Sequence, residues 1–133
     1  MELYRAGDRP TTYGPQAYFM GHVTQELINS APQPARIRAL IVTFAPGART
    51  AWHTHPLGQT LHVTSGVGRY QTWGERIVEI RAGDSVWIPP GEKHWHGAAP
   101  DQQMVHLAIQ EALDGQAAEW MEHVSDQDYT AAP

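Results

Sequence analysis

The chain has 133 residues, of which 41% are hydrophobic and 17% charged, with a net charge of −5 and no cysteine. That length fits one domain of roughly 100–200 residues, and the apolar content excludes a disordered polymer. Disulfides and thiolate metal sites are excluded, nine scattered basic residues argue against a nucleic-acid footprint, and no apolar run is long enough to cross a bilayer. The opening Met1–Asp8 has no apolar centre of the kind a secretion signal needs, which points to a cytoplasmic protein.

Residues 1–33, rich in Gly, Pro and polar groups, read as an N-terminal arm that covers or extends a sheet, with one weak strand-like stretch at Ala17–Met20. From residue 34 to residue 110 short β-like runs recur between Gly and Pro. They are Ile37–Phe44, His53–His55, Gln59–Thr64, Val67–Thr72, Arg76–Ile80, Ser85–Ile88 and Gln103–Gln110, and Trp73-Gly74-Glu75 joins two of them as a hairpin. Many short strands without intervening helices predict an all-β sandwich or barrel. Residues 111–133 change character and read as a helical tail, with a helix over Ala117–His123 and a further turn capped by Ser125. The whole is one domain of arm, barrel and tail.

Six of the eight histidines fall between positions 53 and 106, and four of those six form His-x-His pairs. On an extended chain residues i and i+2 share a face, so His53 and His55 present two imidazoles to one point. Pro56-Leu57-Gly58 turns the chain and opens the next strand with Gln59, whose face also carries Leu61 and Val63. Further on, Pro89-Pro90-Gly91 sets His94 at the start of the following segment. In the last run Met104, His106, Ala108 and Gln110 share one face and Val105, Leu107 and Ile109 the other. With the second set outward, His106 and Gln110 face the interior, and His96, two residues past His94, flanks the same space.

Gly47–Gly66 and Gly83–His94 resemble the paired motifs of the cupins, G-x5-H-x-H-x3-E-x6-G and G-x5-P-x-G-x2-H-x3-N. Two positions depart from them: the usual Glu is Gln59, and the final Asn is Ala98. The resemblance implies a cupin (double-stranded β-helix, or jelly-roll) barrel holding one divalent metal through His53, His55, Gln59 and His94. Three imidazoles and an amide leave the ion's charge uncompensated, which favours anionic ligands. An all-N/O donor set suits Mn²⁺, Fe²⁺, Ni²⁺ or Zn²⁺. The alternative at this point is a metal-free barrel with packed histidines.

Ala51–Leu61, Pro90–Pro100, His106–Gln110 and Glu119–Val124 resemble the bacterial manganese-dependent cupin hydroxynitrile lyases, in which Gln is the usual fourth ligand. That resemblance implies Mn²⁺ as the ion and cleavage of (R)-cyanohydrins such as mandelonitrile to an aldehyde and HCN, with the reverse addition. His106 is the expected general base, with Gln110 and His96 holding the cyanide or returning its proton, and Leu40 and Val42 forming pocket walls. A dioxygenase on the same scaffold and a non-catalytic small-molecule-binding cupin are the competing readings. The five tryptophans, His22, His62 and His123 are read as core, interface or surface. The expected partners are a small-molecule substrate and, by analogy with cupins, further copies of the chain in a homodimer or homotetramer, without nucleic acid or membrane.

Overall fold

In the computed structural model, which describes residues 1–133, the backbone curls into two facing sheets. In chain order the strands are β1 (Thr11–Tyr13), β2 (Phe19–Met20), β3 (Val23–Ser30), β4 (Ile37–Phe44), β5 (Arg49–Thr50), β6 (His53–Thr54) and β7 (Gln59–Thr72). They continue with β8 (Val78–Arg81), β9 (Ser85–Ile88), β10 (His94–Ala98), β11 (Met104–Glu111) and β12 (Glu119–Trp120), followed by a single-turn helix α1 (Asp126–Tyr129). No helix is long and apolar enough to cross a membrane.

The first sheet runs β1-β3-β4-β11-β7-β9, every pair antiparallel. The second holds β8 against the far half of β7, then β10, which pairs with both β5 and β6; β2 closes on β5 and β12 on β6. The 14 residues of β7 therefore belong to both sheets. Two expected runs, Gln59–Thr64 and Val67–Thr72, are one strand that bends between them. The bend falls at Gly66, at φ 79°, where a Cβ would overlap the carbonyl oxygen of Gln103. Glycine is the residue that can take this conformation at such a close approach.

Strand alternation decides what fills the barrel. On β11, Met104, His106, Ala108 and Gln110 are buried while Val105, Leu107 and Ile109 are half-buried, as the sequence predicts. On β7, Gln59, Leu61 and Val63 are buried and His62 and Thr64 face out. The core gathers Phe19, Val42, Phe44, Leu61, Val63, Ile88 and Met104 among others. The sequence-derived arm supplies three strands: β1 and β3 widen the first sheet, and β2 brings Phe19 into this core.

The tail differs from its prediction. Residues 117–123 form no helix; Glu119 and Trp120 lie antiparallel to Thr54 and His53. Trp52 and Met121 extend the pairing, since Met121 N donates to Trp52 O and Trp52 N to Glu122 O, each at 2.8 Å. An open strand edge at β6 offers unpaired backbone groups, and satisfying them outweighs a weak local helical preference. The capped turn does form, with Asp128 N donating to Ser125 Oγ at 3.1 Å. Behind it Val124 and Tyr129 pack on Trp52, Ile77 and Trp95 in a second, smaller cluster.

Candidate metal centre and its cavity

Five short segments converge at one end of the barrel. His53 on β6 sits in register between His94 of β10 and Trp120 of β12. Its ring lies 4.2 Å from that of His94 and 4.9 Å from that of His55, and the His55 and His94 rings are 5.4 Å apart. The Pro56-Leu57-Gly58 turn closes with Gly58 N donating to His55 O at 3.3 Å, and Gly58 takes φ 80° to do so. It delivers Gln59, buried, to the same place.

The hydrogen bonds of these side chains leave three buried acceptor atoms without a purpose inside the protein. His53 Nδ1 donates to Ala51 O at 2.9 Å, His55 Nδ1 to Ala117 O at 2.7 Å and His94 Nδ1 to Glu92 O at 2.9 Å. A proton fixed on Nδ1 leaves Nε2 as the acceptor nitrogen in each ring, the tautomer that metal-ligating histidines adopt. Gln59 Nε2 donates to Gln110 Oε1 at 2.9 Å, which turns its own Oε1 away. His55 Nε2, His94 Nε2 and Gln59 Oε1 are buried with no hydrogen-bond partner. Buried polar atoms are rarely left so, and this donor set suits a divalent cation.

Burial pushes all three imidazoles below the ordinary value of 6.5, His94 to about 4, with the neighbouring rings adding to the effect at His53. Neutral imidazole is the ligating form.

His96 lies closer to this group than the sequence suggests. Nitrogens of His53, His94 and His96 all fall within 4.8 Å of one another. His96 Nδ1 is 3.1 Å from His106 Nε2, and the outer nitrogens, His96 Nε2 and His106 Nδ1, are buried without a partner. Whichever ring donates across the contact, the pair presents one N–H and one lone pair at its two outer ends. Burial depresses both groups, His106 to about 4, and His106 itself further depresses His96. Phe44 packs against both rings, at 6.0 and 5.3 Å.

A cavity of about 630 Å³ opens from this centre. Its wall includes His53, His55, Gln59, His96, His106 and Gln110 from the expected site, and Leu40 and Val42, the expected pocket walls. Trp120 also lines it, stacked on His53 at 4.4 Å and on Tyr18 at 4.6 Å. Nothing local in the sequence distinguishes Trp120 from the other tryptophans, because its role depends on the pairing of β12 with β6. Arg38, another lining residue, was legible in principle: it shares the β4 face of Leu40 and Val42 at a spacing of two.

The cupin domain family model matches residues 40–110. The (R)-mandelonitrile lyase of Granulicella tundricola is 57% identical over 129 residues, which are 97% of this chain and 98% of that protein. Among solved structures, a cupin-like protein from Thermotoga maritima superposes with a TM-score of 0.84 at 39% identity, over 89% of this chain and 90% of that one. A polyketide cyclase from Streptomyces resistomycificus, 18% identical with a TM-score of 0.76 over 97% and 90% of the two chains, shares the fold alone. Motifs, barrel and near full-length identity agree: the chain belongs to the cupin superfamily and, within it, to the family of the Granulicella (R)-mandelonitrile lyase.

Proposed function

We propose that the chain is a metal-dependent hydroxynitrile lyase that cleaves (R)-cyanohydrins such as mandelonitrile to an aldehyde and HCN, and runs the reverse addition. The observation that carries this reading is the set of partnerless inward donor atoms beside a buried His96–His106 pair in one cavity. His53, His55, Gln59 and His94 would hold the ion, with Mn²⁺ as our choice. A divalent cation held there supplies Lewis acidity toward an oxygen that is losing its proton.

The chain's own groups manage the proton. His106, neutral at pH 7, accepts the hydroxyl proton as the carbon–cyanide bond breaks. The 3.1 Å contact to His96 lets a proton pass between the rings, so that one can be returned to the departing cyanide as HCN. The Gln110 amide, its oxygen engaged by Gln59, keeps N–H groups for the cyanide. Val42, Phe44 and Trp120 keep water from the reacting carbon. The half-buried outward residues Ile41, Val105, Leu107 and Ile109 support self-association of the chain through the first sheet.

The test is benzaldehyde release from racemic mandelonitrile by chelator-stripped protein with and without Mn²⁺. We expect metal-dependent release that consumes one enantiomer first. In His106→Ala, release falls about 10²–10⁴-fold while metal content is unchanged. No release above buffer from metal-loaded protein would refute the lyase reading, and a fully active His106→Ala would remove the base assignment.

A further inference from the structure

We propose that Arg38 forms an anion-binding subsite in the cavity, which recognises a carboxylate carried by the substrate at a distance from the reacting carbon. The inference rests on the lyase reading for where that carbon lies.

Arg38 is half-buried and lines the cavity, yet it takes part in no ion pair and no side-chain hydrogen bond. Its Nε is buried without any partner. The fully buried guanidinium of Arg49 is engaged, bonding Val124 O and Asp126 Oδ1 at 2.8 and 2.7 Å; Arg9 Nε, like that of Arg38, has no partner, and what sets Arg38 apart is that it borders the histidine-lined cavity. A half-buried guanidinium left unpaired is costly, and its planar fork matches a carboxylate with two parallel bonds.

Its place in the sheet fixes what it can reach. Across the first sheet the registers align Gln59 of β7, Gln110 of β11 and Arg38 of β4 in one row. Neighbouring strands lie about 5 Å apart, so the backbones of Arg38 and Gln59 are roughly 10 Å apart. The intervening Gln110 belongs to the site already described. A molecule with one end at the histidines can thus extend its other end along this row to the guanidinium. The acidic groups nearby do not neutralise it. Glu119 lines the same cavity but is exposed, and Asp114, also exposed, lines the separate cavity that Arg38 borders on its other side. The rest of the cavity wall is uncharged apart from histidines, so Arg38 is its one strong cation.

The experiment is calorimetric titration of the Mn²⁺-loaded protein with 3- and 4-formylbenzoate and with the two corresponding formylbenzamides, which match them in shape but carry no charge. We expect at least one acid to bind about tenfold or more tightly than its amide. Arg38→Gln should erase that preference and Arg38→Lys should keep part of it. Equal binding of acid and amide by the unmodified protein would overturn the subsite, and so would a preference that survives in Arg38→Gln. Mandelonitrile, which is neutral, separates the two proposals. Cleavage without any acid preference keeps the lyase and removes the subsite, whereas an Arg38-dependent preference without cleavage does the reverse.

Discussion

At Gln59 a single amide faces two ways, its nitrogen bonded to Gln110 and its oxygen buried without a hydrogen-bond partner. A carboxylate in its place would bring one negative charge to the ion and has no N–H to give. Gln110 would then have to rotate and donate, losing the orientation that keeps its own N–H groups for the cyanide in the proposed mechanism. We therefore expect Gln59→Glu to bind the metal more tightly but to lower kcat for mandelonitrile by about 10–100-fold, measured alongside metal affinity by competition with a chelator. Undiminished turnover would refute the charge argument. The sequence discloses most of this centre because motif spacing and strand alternation both act locally. His53, His55, Gln59, His106 and Gln110 each point where a period of two puts them. It could not disclose that His55 is steadied by the carbonyl of Ala117, 62 positions away, or that nitrogens of His53, His94 and His96 gather within 4.8 Å of one another.

Among the elements, β4 and β9 were legible as short β-like runs between Gly and Pro and β11 as an alternating one, while β10 and β12 were not. Every residue of β10 is buried, so it has no alternation to read. The two residues of β12 are too few for any pattern, and Ala-Ala-Glu-Trp-Met-Glu suits a helix on propensity alone. What decides β12 is the open edge of β6, a tertiary fact. Because β12 flanks the strand that carries His53, its pairing bears on the proposed metal site. Met121→Pro deletes the N–H that reaches Trp52 O and should loosen the strand without touching a ligand. The expected outcome is metal affinity lower by about tenfold or more, read by chelator competition. Far-ultraviolet circular dichroism should stay unchanged. Unaltered affinity would show that β6 holds its histidines without help from the tail.

For the whole molecule, the burial of neutral histidines sets an acid limit. Above pH 6.5 these groups are uncharged in both folded and unfolded chains and contribute nothing to the pH dependence. Below 6.5 the unfolded chain takes up protons that folded His94 and His106 refuse until about pH 4, and His53 and His96 are displaced in the same direction. Stability is therefore lost as pH falls through that window, by up to about 1.4 kcal/mol per pH unit for each such group. Urea unfolding of the metal-stripped protein should show its midpoint dropping steeply between pH 6.5 and 4, and a flat midpoint would mean that the rings are not held neutral.

The docking of the tail has a consequence for the order of events during synthesis. Ala117 orients His55, Trp120 covers His53, and Val124 and Tyr129 seal the outer face of the same sheet beside Trp52 and Trp95. These residues follow the expected ligands His53, His55, Gln59 and His94 in the chain and are synthesised after them. A nascent chain thus carries its histidines without the contacts of Ala117 and Trp120 until that segment has emerged. In the proposed metal centre, selective capture of an ion would follow the pairing of β12 with β6, which gives the centre its shape.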